Sequence, residues 1–180
     1  GGGGEVTAVD FSEPMLAVAR ARLSRGLGAG RVRFEQGDAL ALGAADGTYD
    51  LVTIGYGLRN LRSFEGGLRE MARVTRPGGR LAILDFGKPR NRLWREAYFL
   101  HLRTVVPLLG RLFCGDADTH GYILESLRRY PEAPGIARLM EGAGWRDVRW
   151  EELLGGVMTI HIGTRGVEAS TPIPVTPGAP

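Results

Sequence analysis

Two apolar runs held apart by a single helix constrain this chain more than any other feature. Tyr49–Ile54 (YDLVTI) reads as one buried strand and Leu81–Phe86 (LAILDF) as another. Between them lie a glycine-containing loop with Arg59 and Asn60, a helix, and the breaker Arg76-Pro77-Gly78-Gly79. A strand, a helix and a strand joined by tight connections form a crossover unit, and such units make neighbouring parallel strands. Ligands of open parallel sheets sit at the carboxyl ends of the strands. Arg59, Asn60, Asp85 and Lys88 all fall at such ends, so the chemistry is expected there.

Composition narrows the class. The 180 residues, 43% of them apolar, suffice for one domain with one core. The 23 basic and 20 acidic residues are interleaved and leave a formal charge of +3, which is no nucleic-acid footprint. One cysteine, Cys114, excludes an internal disulfide and a thiolate cluster, and suits a reduced, cytoplasmic setting. No signal peptide is visible, and no apolar run reaches the roughly 18–20 residues of a membrane span. Lys88 is the only lysine, and Asn60 and Asn91 are the only asparagines. Residue types that the chain otherwise avoids stand out where they occur, and Asn60 and Lys88 both occur in strand-end loops.

The remaining segments extend the pattern. Glu5–Val9 is a short strand ending in Asp10, and Ser12 caps a helix with Pro14 in its first turn. Met15, Leu16, Ala19 and Leu23 form its expected apolar stripe, which stops near Gly26–Gly30. Arg31–Glu35 is a second strand, followed by Gly37-Asp38 and the loop Ala39–Thr48. Arg92–Phe113 is apolar-rich and helical, and Pro107 is expected to bend or end it. Two helices, His120–Tyr130 and Pro134–Ala143, precede the strands Trp145–Leu153 and Val157–Gly163. That last pair is a hairpin, expected to give a parallel sheet one antiparallel edge strand. One domain is expected over 1–164, and the proline-rich 165–180 reads as a disordered tail.

Several strand-end residues have both a chemical and a plain reading. A carboxylate at a strand tip, such as Asp10, accepts both hydroxyls of a ribose. Asp38, one strand over, can accept from the exocyclic amine of an adenine. Each also suits a turn or loop on its own, and only together do they favour a nucleoside ligand. Arg59 and Asn60 can border a reacting group, or serve a surface salt bridge and a left-handed turn. Asp85 and Lys88 can simply pair with each other. His161, inside an alternating strand, reads as a core histidine or as a proton acceptor. Pro77-Gly78-Gly79 reads as a chain reversal, and it lacks the GxxxxGK pattern of a triphosphate loop. His101 and His120 have no partners at ligand spacing, so no metal is expected.

Six stretches together resemble one family: VTAVDFSEPMLAVAR, QGDALAL, YDLVTIGYGLRNL, EMARVTRPGGRLAILDFGKP, DADTHGYILESLRRYP and GGVMTIHIG. They cover nearly all of the chain from Glu5 to Gly163. GLRN followed by RPGGRL, together with YILES, is the most specific part. The family is that of the menaquinone/ubiquinone C-methyltransferases, class I enzymes that use S-adenosylmethionine (SAM). The resemblance implies a Rossmann-like α/β sheet with a terminal antiparallel hairpin, and methyl transfer from SAM to a ring carbon of a prenylated quinol precursor. By that resemblance Asp10 holds the ribose hydroxyls, Asp38 and Ala39 line the adenine, and Gly55 packs near the methionine portion. Arg59 and Asn60 border the acceptor and the reacting sulfonium, while Tyr122 and His161 are candidates for the acceptor pocket. A cationic donor such as Arg59 would stabilise the phenolate that makes the ring carbon nucleophilic, and His161 or a water would take the proton.

The start of the chain departs from the family pattern. Such enzymes open with a strand, an Asp/Glu-x-Gly-x-Gly type loop and a helix, whereas Gly1–Gly4 here stand directly before the second family strand. The sheet is therefore expected to lack the first strand and glycine-rich loop, to bind SAM weakly and to leave two strand edges unpaired. Demethylmenaquinol is the expected substrate. The alternatives are a ubiquinone-pathway quinol, another small molecule or RNA, and a non-catalytic remnant that binds a partner or lipid. Arg92–Phe113 is the segment expected to cover the acceptor site and touch the membrane peripherally, at its inner face.

Overall fold

In a computed structural model, the chain is described over residues 4–23, 30–114 and 121–166, without the side chains of 109–114, 121 and 122. The expected helix stop at Gly26 and the tail beyond Gly166 lie outside these residues. The elements are β1 (Val6–Asp10), α1 (Glu13–Leu23), β2 (Val32–Gln36), β3 (Tyr49–Gly55), α2 (Phe64–Val74) and β4 (Thr75–Phe86). They continue as α3 (Arg92–Cys114), α4 (Gly121–Arg129), α5 (Ala133–Gly142), β5 (Trp145–Leu153) and β6 (Met158–Arg165).

The strands form two sheets. β1 and β2 pair in parallel, and a separate sheet has the order β3-β4-β6-β5. β3 and β4 are parallel, as the crossover requires, with Ile54 opposite Ile83. The hairpin differs from expectation in one respect. The antiparallel strand is β6, which lies inside the sheet between β4 and β5, and the edge strand β5 runs parallel to β4. Among the described residues, β1 and β3 each keep one edge unpaired.

The crossover closes as its residues dictate. Ser63 caps α2, its Oγ accepting the Gly66 N–H at 2.9 Å. Thr75 ends the helix, its hydroxyl donating to the Met71 carbonyl at 2.6 Å. β4 already begins at Thr75, because Pro77-Gly78-Gly79 forms an irregularity within the strand and not a reversal before it. Gly78 has φ +75°, and a Cβ on Gly79 would stand 3.0 Å from the Asp50 carbonyl oxygen, so both positions require glycine.

The core lies under one face of the larger sheet. Leu58, Leu68, Met71, Leu81, Ile83, Tyr130, Ile136, Met140 and Trp145 pack there beneath α2 and α5. Each such side chain contributes roughly 1.5–3 kcal/mol by leaving water. Trp145 also donates its indole N–H to the Leu68 carbonyl at 3.2 Å, tying β5 to α2. On the opposite face Leu84, Ile160 and Ile162 are only half-buried and Leu51 is exposed. α1 likewise buries only Leu16 of its expected stripe and leaves Met15 exposed, since it packs on a sheet two strands wide. α3 runs unbroken through Pro107, because a long helix absorbs the loss of one N–H. β6 extends to Arg165, one residue past the expected domain end, and that side chain donates to the Arg73 carbonyl at 3.0 Å and to the Thr75 carbonyl.

Candidate active site

The loop after β3 is built to carry a buried charge. Tyr56 turns the chain with φ +55°, rare for a non-glycine residue, and its N–H donates to the Leu84 carbonyl at 2.7 Å. A single tight helical turn, Leu58–Asn60, follows. Within it Arg59 is 2% exposed, although arginine is seldom buried without a partner. Its partner is Asp85, at the carboxyl end of β4 and fully buried. Nη1 of Arg59 donates to Asp85 Oδ1 at 3.0 Å, and the Arg59 backbone N–H donates to Oδ2 at 3.2 Å. The Phe86 N–H donates to Oδ1 at 2.8 Å. The guanidinium also donates to the Tyr56 carbonyl and lies 5.0 Å over the Phe86 ring. Burial pushes the Asp85 carboxyl above the usual carboxylate range, and the Arg59 charge and the N–H donors work against that push.

The alternative reading, in which Asp85 pairs with Lys88, does not hold. The Lys88 ammonium donates to the Arg128 carbonyl at 3.1 Å. Asn60 stands exposed beside the pair, with its amide donating to the same Tyr56 carbonyl at 3.3 Å.

Two tyrosines close over this cluster. Tyr98 from α3 is 7% exposed, and Tyr130 at the end of α4 is fully buried, its ring edge-on to Phe64 at 5.6 Å. Neither hydroxyl has a hydrogen-bond partner among the described residues. Burial raises both phenols, Tyr98 to about 12, while the Arg59 charge pulls each back. At neutral pH both are protonated donors.

His161 is held elsewhere. It is fully buried on β6 opposite Ile83, with Nε2 3.0 Å from the Ala133 carbonyl and its ring stacked on Trp150. Asp85 faces Thr159, two residues away along β6, so His161 is not part of the Arg59 cluster. Burial lowers its pKa. Tyr122 is the second residue of α4, and its side chain lies outside the described residues.

The carboxylates expected to hold a nucleoside lie at the ends of the smaller sheet. Asp10 closes β1 and is exposed, and its Oδ1 accepts the Ser12 N–H at 2.8 Å. Phe11 beside it is 78% exposed. Asp38 accepts the Leu40 N–H at 2.9 Å across Ala39, and its other oxygen lies 3.4 Å from Arg62. That contact links the Asp38 loop to the loop carrying Arg59. Arg73 fixes the stretch after Ala39 on α2 by donating to the carbonyls of Leu42 and Ala44 and to Glu70 and Asp46. The same Arg73 contact holds the Glu70 carboxyl below its usual range. Gly55 ends β3 with nothing within 4 Å of where a Cβ would stand. Among the described residues no group of three or more His, Cys, Asp or Glu side chains could hold a metal.

Strand-end acids, a strand end open at Gly55 and a buried Arg-Asp pair agree with one family comparison. The profile of the ubiE/COQ5 methyltransferase family matches residues 1–165. The chain belongs to that family. A demethylmenaquinone methyltransferase of Mycolicibacterium gilvum is 43% identical over 158 residues, covering 88% of this chain and 66% of the relative. The ubiquinone/menaquinone biosynthesis C-methyltransferase UbiE of Azotobacter vinelandii is 42% identical over 166 residues, covering 92% and 65%. The chain thus spans about two thirds of the length of these relatives. A SAM-dependent methyltransferase of Aquifex aeolicus shares the fold with a TM-score of 0.62 at 20% identity, covering 89% of this chain and 69% of that one. The sheet is that of a class I methyltransferase, with the hairpin placed as described.

Sequence reasoning found Arg59 by its position in a strand-end loop and Asn60 by that position and its rarity. It left Asp85 without its true partner and did not single out Tyr98 or Tyr130. Each of those tyrosines stands in a helix whose periodicity marks it simply as apolar.

Proposed function

We propose that the chain carries the acceptor site and part of the cofactor site of a SAM-dependent C-methyltransferase that converts a prenylated demethylmenaquinol to its methylated product. The observation that carries this reading is the buried Arg59–Asp85 pair at the carboxyl ends of β3 and β4, in a chain of this family. The donor set fits SAM. Asp10 has one oxygen committed to its own turn, which leaves the other for a ribose hydroxyl. Asp38 and Ala39 suit the adenine, with exposed Phe11 as an apolar neighbour, and the open strand end at Gly55 suits the methionine portion. When bound, SAM supplies an electrophilic methyl group.

The residues of this chain supply orientation and charge. The ring carbon gains the methyl and loses its hydrogen as a proton to water, and the adjacent ring oxygen bears negative charge on the way; the cofactor's S–CH3 bond would break to leave a neutral thioether. Arg59 is held rigid by Asp85, Tyr56 and Phe86, so it can oppose that charge without reorganising. Asn60 borders the same place from the exposed rim. Tyr122 belongs, in this reading, to the acceptor wall. We give His161 no part in proton transfer, because its Nε2 is committed to the Ala133 carbonyl and burial lowers its basicity.

The prenyl chain of such a substrate resides in lipid, and α3 suits contact with a bilayer surface. Leu93, Leu100 and Leu108 are 82%, 60% and 64% exposed and recur with Ala97 and Thr104 along one outward stripe. Trp94 and Leu154 adjoin it, joined by an indole N–H to carbonyl bond of 3.4 Å. Exposed Arg92 and Arg103 flank the stripe and match anionic headgroups. Among the described residues no helix is long and apolar enough to cross a membrane, so the proposed contact is peripheral.

The test is methyl transfer from labelled SAM to demethylmenaquinol by the purified protein. Label is expected on the ring carbon. Absence of transfer to demethylmenaquinol, with transfer to another acceptor, would overturn the assignment of substrate.

A further inference from the structure

Buried hydroxyls without partners are uncommon in folded proteins, since each forfeits a hydrogen bond that water would have given it. Among the described residues two such hydroxyls, on Tyr98 and Tyr130, lie near enough to one buried cation, Arg59, to feel its charge. Tyr98 comes from α3 and Tyr130 from the end of α4, and those helices pack on each other. α4 in turn packs on the tight turn that carries Arg59. Both rings are embedded, Tyr130 against Phe64 and Tyr98 against Phe99 at 5.7 Å, so the aromatic bodies are satisfied while the polar tips are not.

We propose that the hydroxyls of Tyr98 and Tyr130 read a ring oxygen of the quinol, donating to it while Arg59 faces the same oxygen. The inference rests on the proposed function and names two further acceptor-binding residues. Packing alone would be served equally well by phenylalanine at both positions. A ligand oxygen gives the two donors the partner that the described residues do not. A site built around such donors also discriminates strongly against an acceptor lacking that oxygen, because the donors are then left buried and unpaired. Both phenols stay protonated at neutral pH, so they act as donors and not as bases.

The experiment compares Tyr98→Phe and Tyr130→Phe with wild type. Binding of a short-chain naphthoquinol and of the matching naphthol that lacks one ring hydroxyl is measured by tryptophan fluorescence, alongside methyl transfer, SAM affinity and thermal midpoint. The expected result is a loss of quinol affinity of about 10-fold for each variant, the scale of one good hydrogen bond. The preference of quinol over the naphthol should shrink by a similar factor. SAM affinity should hold, and the midpoint should stay or rise, since an unpaired buried hydroxyl has gone. A fall in midpoint together with weaker binding of SAM would mean a structural role and would overturn the proposal. So would variants that bind quinol and naphthol as wild type does. If wild type methylates quinol and the variants are unaffected, this inference fails and the proposed function stands. If wild type binds quinol without methylating it and the variants lose that binding, the site stands and the assigned reaction fails.

Discussion

Arg59 and Asp85 cannot be removed one at a time without cost. Each is buried, and loss of one partner leaves the other charge uncompensated. Asp85→Leu should destabilise the fold by about 3–5 kcal/mol in urea denaturation. The double variant Arg59→Met with Asp85→Leu should recover most of that loss and yet be inactive. Arg59→Lys keeps the charge but not the planar fork, so the fold should persist while turnover falls on the order of 100-fold. A fully active double variant would remove the pair from the mechanism. His161 makes a different prediction, in pH. Burial sets its folded pKa below the unfolded value of about 6.5. Between those two values the unfolded chain binds more protons, so stability is complete above about pH 6.5 and falls as pH drops through the folded pKa. His161→Gln should flatten that slope in denaturation curves taken across the range. An unchanged slope would show that another group titrates there.

At the scale of elements, α3 is the segment whose surroundings matter most. Its inner side supplies Tyr98 to the candidate site, and its outer side exposes leucines. Sequence periodicity anticipated the helix but not its orientation. Phe99 lies half-buried against Tyr98, and the exposed leucines are Leu93, Leu100 and Leu108. Leu93→Ser with Leu100→Ser should therefore weaken association with vesicles containing anionic lipid and slow turnover of long-chain quinol. Activity on a short-chain soluble quinol should be spared. Equal loss on both substrates would mean that the stripe packs against protein and not lipid. The same contrast applies to Pro77-Gly78-Gly79. The turn residues were legible, but not that β4 would start ahead of them, because strand length depends on whether β3 offers partners for pairing.

For the whole molecule, the two sheets are the dominant fact. β1 and β3 both present unpaired edges among the described residues, and Leu51 on β3 is 55% exposed. Open parallel edges flanked by apolar surface favour self-association. The isolated 180-residue chain should gain mass in light scattering as its concentration rises. Leu51→Lys with Thr53→Lys should return it towards a monomer, and a wild-type chain that stays monomeric throughout would refute the idea. The sequence by itself determined the order of elements, the crossover, the hairpin and the family, because apolar period, glycine and proline act between near neighbours. Family motifs also brought Arg59, Asn60, Asp10 and Asp38 forward as candidates. Only the tertiary structure decided that Arg59 meets Asp85, 26 residues away, that β6 lies inside the sheet, and that His161 sits apart. It alone brought Tyr98 and Tyr130 over one cation. Those outcomes depend on which distant surfaces pack together and exclude water, and no local pattern carries that information.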